Sequence, residues 1–328
     1  MSYSKFHQPD LSKFSFLVTG GAGFIGSNIV AYLLHFGAKK VRVIDNLSTG
    51  NIKNLNPFLA NKNFEWIEAD ISDYSECLKV CQGIDLISHQ AALGSVPRSI
   101  EMPIATNKSN VDGFLNVITA ARECEVKRIV YASSSSVYGD HLKLPKREDE
   151  IGQVLSPYAV SKRTNELYAK VAHLNYAQEL IGLRYFNVFG PNQSPEGAYA
   201  AVIPLFIEAL LKNESPYING DGSQSRDFTF VENAVQANIR ALFTENENAL
   251  GEVFNVAVGE QYTLLDLFDL IKEFCGATVE PIHREERSGD IKNSLADISK
   301  AKQLLAYQPQ VKFREGIQRT IEWFSQQK

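Results

Sequence analysis

The sequence predicts an α/β fold, a doubly wound parallel sheet followed by a smaller C-terminal α/β lobe. Three observations carry this prediction. Strand and helix patterns alternate through the first 187 residues, and such alternation builds a parallel sheet with helices on both faces. A glycine-rich turn stands at the first strand-to-helix junction. The 328-residue chain is 44% hydrophobic and 22% charged, near the globular average, so a core can form without staples.

The elements follow in order. FSFLV (14–18) reads as a short buried strand, broken by Gly20-Gly21-Ala22-Gly23. FIGSNIVAYLLHF (24–36) has helical spacing and is closed by Gly37, the residue type that ends helices in a left-handed conformation. VRVID (41–45), FEWIEAD (64–70) and IDLISH (84–89) read as strands, being short, apolar and β-branched. A helix is expected over 106–124 and a strand over RIVYAS (128–133). Residues 156–174 read as a helix with Ser156 as N-cap and Pro157 at its first position, both favoured there. ELIGLRYF (179–186) is a further strand. Beyond 187 the texture becomes loop-rich. Residues 1–187 are thus expected to form a nucleotide-binding domain and 188–328 a substrate lobe, with some of its elements returning to the sheet. No Pro- or Ser-rich linker separates the two, so they should share an interface.

Composition excludes several classes. A net charge of −5 argues against non-specific nucleic-acid binding, which needs a basic face. The four cysteines include no C-x-x-C and, with the six histidines, form no zinc-type spacing. Cys77 and Cys81 fall on one helical face as buried free thiols, and no metal is expected. The N-terminus lacks a signal-peptide core and no apolar run approaches a membrane span. The expectation is a soluble cytoplasmic protein, not bound to a membrane.

VTGGAGFIG (18–26) contains G-x-G-x-x-G as Gly21, Gly23 and Gly26, with Gly20 adding an overlapping pattern. It follows a strand and opens a helix, and Asp45 ends the next strand 19 residues after Gly26. This is the context of a Rossmann-type dinucleotide site. The turn lets a pyrophosphate sit against backbone N–H groups at a helix N-terminus. Asp45 can accept hydrogen bonds from ribose hydroxyls and would repel a 2′-phosphate, so NAD is favoured over NADP. Asp70-Ile71 and Gln90-Ala91-Ala92 end the third and fourth strands, where ligands of such sheets bind.

SSSSVYG (133–139) and SPYAVSK (156–162) sit at the same sheet edge. Tyr-x-x-x-Lys alone is expected about once by chance in a chain of this composition, so the context decides. A free tyrosine is a poor base at neutral pH. A lysine ammonium one helical turn away, and an oxidised nicotinamide, would favour the phenolate. A serine hydroxyl can relay the proton. Together these groups could remove a hydroxyl proton while hydride leaves the same carbon.

TGGAGFIG, the serine run and Tyr158-x-x-x-Lys162 resemble an extended short-chain dehydrogenase/reductase over nearly the whole chain. LRYFNVFGP (183–191), NGDGSQSRDF (219–228) and RSGDIKNSLADISKA (287–301) are similar to UDP-sugar 4-epimerases. GAYAAVIP (197–204) and SLADISKA resemble the branch acting on UDP-N-acetylglucosamine and UDP-N-acetylgalactosamine. The resemblance implies tightly bound NAD, a UDP-sugar substrate and a homodimer. It makes Tyr158 the catalytic base, Ser134 the catalytic serine and Lys162 the residue that holds the cofactor ribose and tunes the tyrosine. It places the cofactor among Gly20, Gly23, Phe24, Ile25, Gly26, Asp45, Asn46, Ser48, Thr49, Gly50, Asp70, Ile71, Gln90, Ala91, Ala92, Ser109 and Tyr185. The substrate falls to Gly94, Ser95, Ser135, Asn187, Gln193, Ala201, Val202, Tyr217, Asn219, Arg226, Arg287, Asp290 and Ser294. Arginine forks suit a diphosphate.

Ser294, three residues before Asp297, stands where glucose/galactose enzymes of the family often carry tyrosine, so it should leave room for an N-acetyl group. Gly94 replaces a lysine common in those enzymes, and Ser109 an asparagine or threonine. A UDP-uronate 4-epimerase stays open as an alternative. A sugar-nucleotide 4,6-dehydratase would need an Asp-Glu pair where Ser134-Ser135-Ser136 stand. A non-catalytic NAD-binding regulator need not keep Tyr158, Lys162 and Ser134 together.

Overall fold

The computed structural model describes residues 4–196, 200–286 and 292–327. Seven parallel strands form the central sheet: β1 Ser15–Thr19, β2 Lys40–Asp45, β3 Phe64–Glu68, β4 Leu86–His89, β5 Arg128–Ser134, β6 Glu179–Tyr185 and β7 Val253–Val256. Their spatial order is β7-β6-β5-β4-β1-β2-β3. The order reverses beside β1, so a crevice opens at the carboxyl ends of β1 and β4. The register puts Thr19 opposite His89 and Ile44, and Ser134 opposite Tyr185. These pairings align the carboxyl ends that build the site.

The sheet divides two apolar layers because successive strand residues point to opposite faces. Phe16 and Val18 of β1 join one layer and Leu17 the other. The first layer is covered by α1 Phe24–His35 and by a helix from the C-terminal half, Val231–Phe243. The second is covered by α2 Tyr74–Cys81, α3 Gly113–Glu123 and α4 Pro157–Tyr176. Cys77 and Cys81 are buried there, and burial pushes both thiols up to about 12. A third apolar cluster, built on Phe206, Phe230, Phe268 and Phe313, forms the core of the C-terminal lobe.

Two features were not legible as single elements. The stretch 106–124 is not one helix: a helix over Pro103–Asn107 passes through a π-turn at Lys108–Asp112 into α3. A Cβ on Gly113 would lie 2.7 Å from the Ile71 side chain, so this glycine permits close packing at the resumption of the helix. β7 and Val231–Phe243 belong to the sheet layers although both follow residue 187. Among the described residues no helix is long and apolar enough to cross a membrane.

Candidate active site

A cleft of about 600 Å³ runs along the carboxyl ends of the strands. At one end lies the glycine turn. Gly20 has φ +68°, and a Cβ there would stand 2.6 Å from the Ala91 backbone nitrogen. A Cβ on Gly26 would approach the Gly20 carbonyl oxygen to 2.2 Å. The turn is therefore as tight as backbone allows, and α1 starts with Gly23 as an N-cap that provides no side-chain hydrogen bond. First-turn N–H groups have no partner inside a helix, so an anion is the fitting occupant. Gly26→Val should break this packing. Bound NAD recovered with the purified protein should fall at least about tenfold, with a lower melting temperature; full retention would contradict the assignment.

Asp45 fixes the next part of the cleft. Its Oδ2 accepts from the Ala22 N–H at 3.0 Å and its Oδ1 from the Leu47 N–H at 2.9 Å. Burial outweighs these bonds and raises its pKa above the ordinary carboxylate value. Gly50 is not in the cleft lining: a Cβ there would meet Asp45 Oδ1 at 2.9 Å, so it makes room for the carboxylate. Asp70 also sits behind the lining and accepts from Asn46 Nδ2 at 2.8 Å, acting through a residue that does line it.

The other end holds Ser134, Ser135, Tyr158, Lys162, Tyr185, Asn187 and Gln193 in one lining with Gly94, Ser95 and Ser109. Tyr158 and Lys162 lie four residues apart on α4 and therefore on one helical face. Ser134 hydrogen-bonds Tyr158 and its Oγ also accepts from the Ser136 N–H at 3.1 Å. Burial raises the Tyr158 phenol above its ordinary value, offset only in part by Ser134. Lys162 donates to the Ala132 carbonyl at 2.9 Å, with its Nζ 6.0 Å from the centre of the Tyr158 ring. Burial pushes the lysine itself down to about 8. The chain alone holds a protonated phenol, and a phenolate requires additional positive charge at this end.

Neighbouring side chains fix these groups. Tyr185 donates to Gln90 Oε1 at 3.0 Å and accepts from Asn238 Nδ2 at 2.7 Å. Asn110, in the π-turn, bonds both the N–H and the carbonyl of Leu93 and donates to Ser161 Oγ on α4. This ties the Ala91–Ser95 wall to the tyrosine helix. π-turns are frequent at functional sites. Ser95 holds φ +90°, a strained conformation for a residue with a side chain. His89 is buried and pushed down to about 3 by burial, so it packs as a neutral ring.

Several sequence-chosen residues lie outside this lining. Ala201 caps the helix Val202–Leu211. Tyr217 and Asn219 bound a short strand, with the Arg284 guanidinium 3.2 Å from the Tyr217 ring centre. Arg226 Nη1 donates to the Ser225 and Lys292 carbonyls, and the Ser294 N–H bonds the Ser225 carbonyl at 3.1 Å. Arg226 and Ser294 thus meet at Ser225 in the C-terminal lobe. Arg287 and Asp290 lie outside the described residues. Sequence reasoning missed Arg98, Ser133, Val188 and the Ile44, Ala69 and Ala132 strand ends, which line the cleft, and the supporting Asn238, Glu166 and Asp227. Carboxyl-end position was a usable signal for the strand ends; for Asn238, 148 residues from Gln90, no local signal exists.

Residues 16–257 match the NAD dependent epimerase/dehydratase family. A UDP-N-acetylglucosamine 4-epimerase from Methanobrevibacter ruminantium M1, solved with UDP-N-acetylmuramic acid, superposes with TM-score 0.91 at 41% identity, covering 96% of this chain and 99% of that one. A UDP-glucuronic acid 4-epimerase from Bacillus cereus, solved with UDP-glucuronic acid and NAD, superposes with TM-score 0.88 at 31% identity, covering 96% and 100%. The UDP-glucose 4-epimerase of Mycolicibacterium smegmatis is 37% identical over 94% of this chain and 97% of its own length. With the glycine turn and the Tyr–Lys helix in one cleft, these likenesses agree: the chain belongs to the NAD-dependent UDP-sugar 4-epimerase family.

Proposed function

We propose that the protein interconverts UDP-N-acetylglucosamine and UDP-N-acetylgalactosamine, and also takes UDP-glucose and UDP-galactose, through a 4-keto sugar. The observation that carries the reading is the meeting of Ser134, Tyr158 and Lys162 in one lining with the glycine turn. The serine run also lacks the acids a dehydratase needs. When bound, NAD supplies the positive ring that favours the phenolate and the acceptor that takes the C4 hydride and returns it. Tyr158 removes the 4-hydroxyl proton, with Ser134 as relay, and Lys162 holds the ribose. Ser135 flanks the sugar, and Asn187, Arg226, Arg287 and Asp290 together hold the diphosphate and uridine, the arginines suiting the diphosphate. Anchoring the diphosphate would leave the sugar free to turn and present either face of C4 to bound NAD, so no external redox partner would be consumed.

Purified protein without added cofactor, supplied with each UDP-sugar and followed by NMR of the anomeric protons, tests the reading. Appearance of the galacto epimer supports it; silence with every sugar, repeated with added NAD, defeats it. Ser294→Tyr should lower kcat/KM for the N-acetylated sugar at least about tenfold more than for UDP-glucose, a steric difference of about 1.4 kcal/mol. Equal losses would remove Ser294 from the specificity argument.

A second reading, a UDP-uronate 4-epimerase, is supported by Arg98, a cation in the cleft lining beside Gly94 and Ser95. UDP-glucuronate therefore belongs in the same panel. For the homodimer, support comes from an exposed apolar stripe on α4. Val160, Leu167, Val171 and Leu174 face outward there at helical spacing, suited to cover by a second copy.

A further inference from the structure

We propose that Asp227 is a positioning residue that clasps the walls of the sugar-nucleotide site together and so sets substrate affinity without touching the substrate. The proposal rests on the reading of Asn187, Arg226 and Ser294 as substrate groups. Asp227 is wholly buried and directly follows Arg226. Its Oδ1 accepts from the Val258 N–H at 3.0 Å, and its Oδ2 from the Gly259 N–H at 3.0 Å and the Ala296 N–H at 3.3 Å. One carboxylate thus holds the loop that leaves β7 and the segment carrying Ser294. Its backbone carbonyl accepts from Asn187 Nδ2 at 3.1 Å, and the Thr229 N–H donates to the Asn187 carbonyl at 3.2 Å. Asn187 has φ +35° in the turn that leaves β6. Three chain segments, far apart in sequence, meet on this one residue.

Packing alone does not explain an acid here. A buried charge is costly, and this one persists because it satisfies three backbone N–H groups that an apolar side chain would orphan. The charged group acting on Asp227 is Glu260, which opposes its ionisation. Tyr262 and Tyr307 also face it, both raised by burial first, and stay uncharged at neutral pH. What the carboxylate provides is acceptors alone, on both oxygens. An asparagine cannot substitute: whichever way its amide turns, its NH₂ faces a backbone N–H. Burial pushes Asp227 up to about 6. Above that pH both oxygens accept; below it a proton occupies one of them and an arm of the clasp is lost.

The test measures affinity of the holoenzyme for an equilibrated UDP-N-acetylglucosamine/galactosamine mixture by calorimetry between pH 5 and 8. The sugar diphosphate is a diester and keeps its charge across this range. If only the ionised clasp binds, Kd rises about tenfold one pH unit below the midpoint. Asp227→Asn should retain NAD and keep kcat at pH 8 within about threefold, while KM rises about tenfold and Kd loses its pH dependence. A flat wild-type Kd overturns the proposal even where the variant fails to fold. A folded variant with unchanged KM, or one that loses kcat and NAD alone, overturns it as well. Binding without turnover would defeat the functional reading yet still test the clasp; no binding of any UDP-sugar overturns both.

Discussion

Tyr158→Phe is expected to fold, retain NAD and lose turnover by at least about 100-fold, the lower end of what a positioned general base contributes. The substitution removes one oxygen and its bond with Ser134. A single hydrogen bond is worth about 1 kcal/mol net, so the melting temperature should move little. The effect on rate is larger because the substitution removes the group that takes the proton in the proposed step. Among the described residues of the cleft lining no other acid–base group is placed to replace it: Lys162 is engaged at the Ala132 carbonyl and Asp45 lies at the glycine-turn end. Initial rates by NMR, with nucleotide released on denaturation measured in parallel, decide the matter. A variant that epimerises at the wild-type rate with full NAD would show that the base is misassigned.

Arg184→Met is expected to destabilise the fold by about 3–5 kcal/mol, the cost of stripping one partner from a buried ion pair. Arg184 on β6 donates through Nε and Nη2 to Glu166 at 2.8 and 2.9 Å. Glu166 also accepts from Ser133 Oγ at 2.6 Å and from Arg163 at 2.9 Å. Tyr158, Lys162 and Glu166 recur every four residues on α4, so the pair pins the tyrosine face of the helix to the carboxyl ends of β5 and β6. Burial pushes the Glu166 carboxyl up, but the bonds to Arg184, Ser133 and Arg163 outweigh it and hold it below its ordinary value of 4.5. In the wild type this group adds stability above its unfolded pKa, and that stability is lost as pH falls through the folded value. Without Arg184, burial dominates, the folded pKa rises, and the contribution of Glu166 falls as pH rises. Urea unfolding of both proteins at pH 5 and pH 8 should therefore show the larger deficit at pH 8. Adding Glu166→Gln should recover part of it. Equal midpoints in the two proteins would sink the ion-pair argument.

The parallel sheet and the nucleotide end of the cleft were legible from local pattern. Glycines at 20, 23 and 26 answer a steric demand set within a few residues, and Asp45 marks a strand end. Period and turn chemistry are local properties that survive without the rest of the fold. The return of β7 and of Val231–Phe243 to the sheet was legible only as a possibility. Their apolar faces fit any core, and the partners are chosen by long-range packing. The extent of the active-site lining was decided the same way. The Tyr158–Lys162 spacing gains meaning only from its context, and Ser134 was singled out by resemblance. Asn238 behind Tyr185 and Glu166 behind Ser133 are ordinary helix residues until the sheet register brings them there.

The sequence by itself determined the parallel sheet and the glycine turn at its carboxyl edge, because both follow from residue type and short-range geometry. Only the tertiary structure decided the protonation of Tyr158 and Lys162, because desolvation is a property of the assembled fold. From the sequence, a lysine one turn away and an oxidised nicotinamide are both expected to favour the Tyr158 phenolate. In the folded chain burial raises the tyrosine, lowers the lysine and turns the ammonium to Ala132. The fold also decided that Asp227, silent in sequence, would be the carboxylate on which three distant segments close.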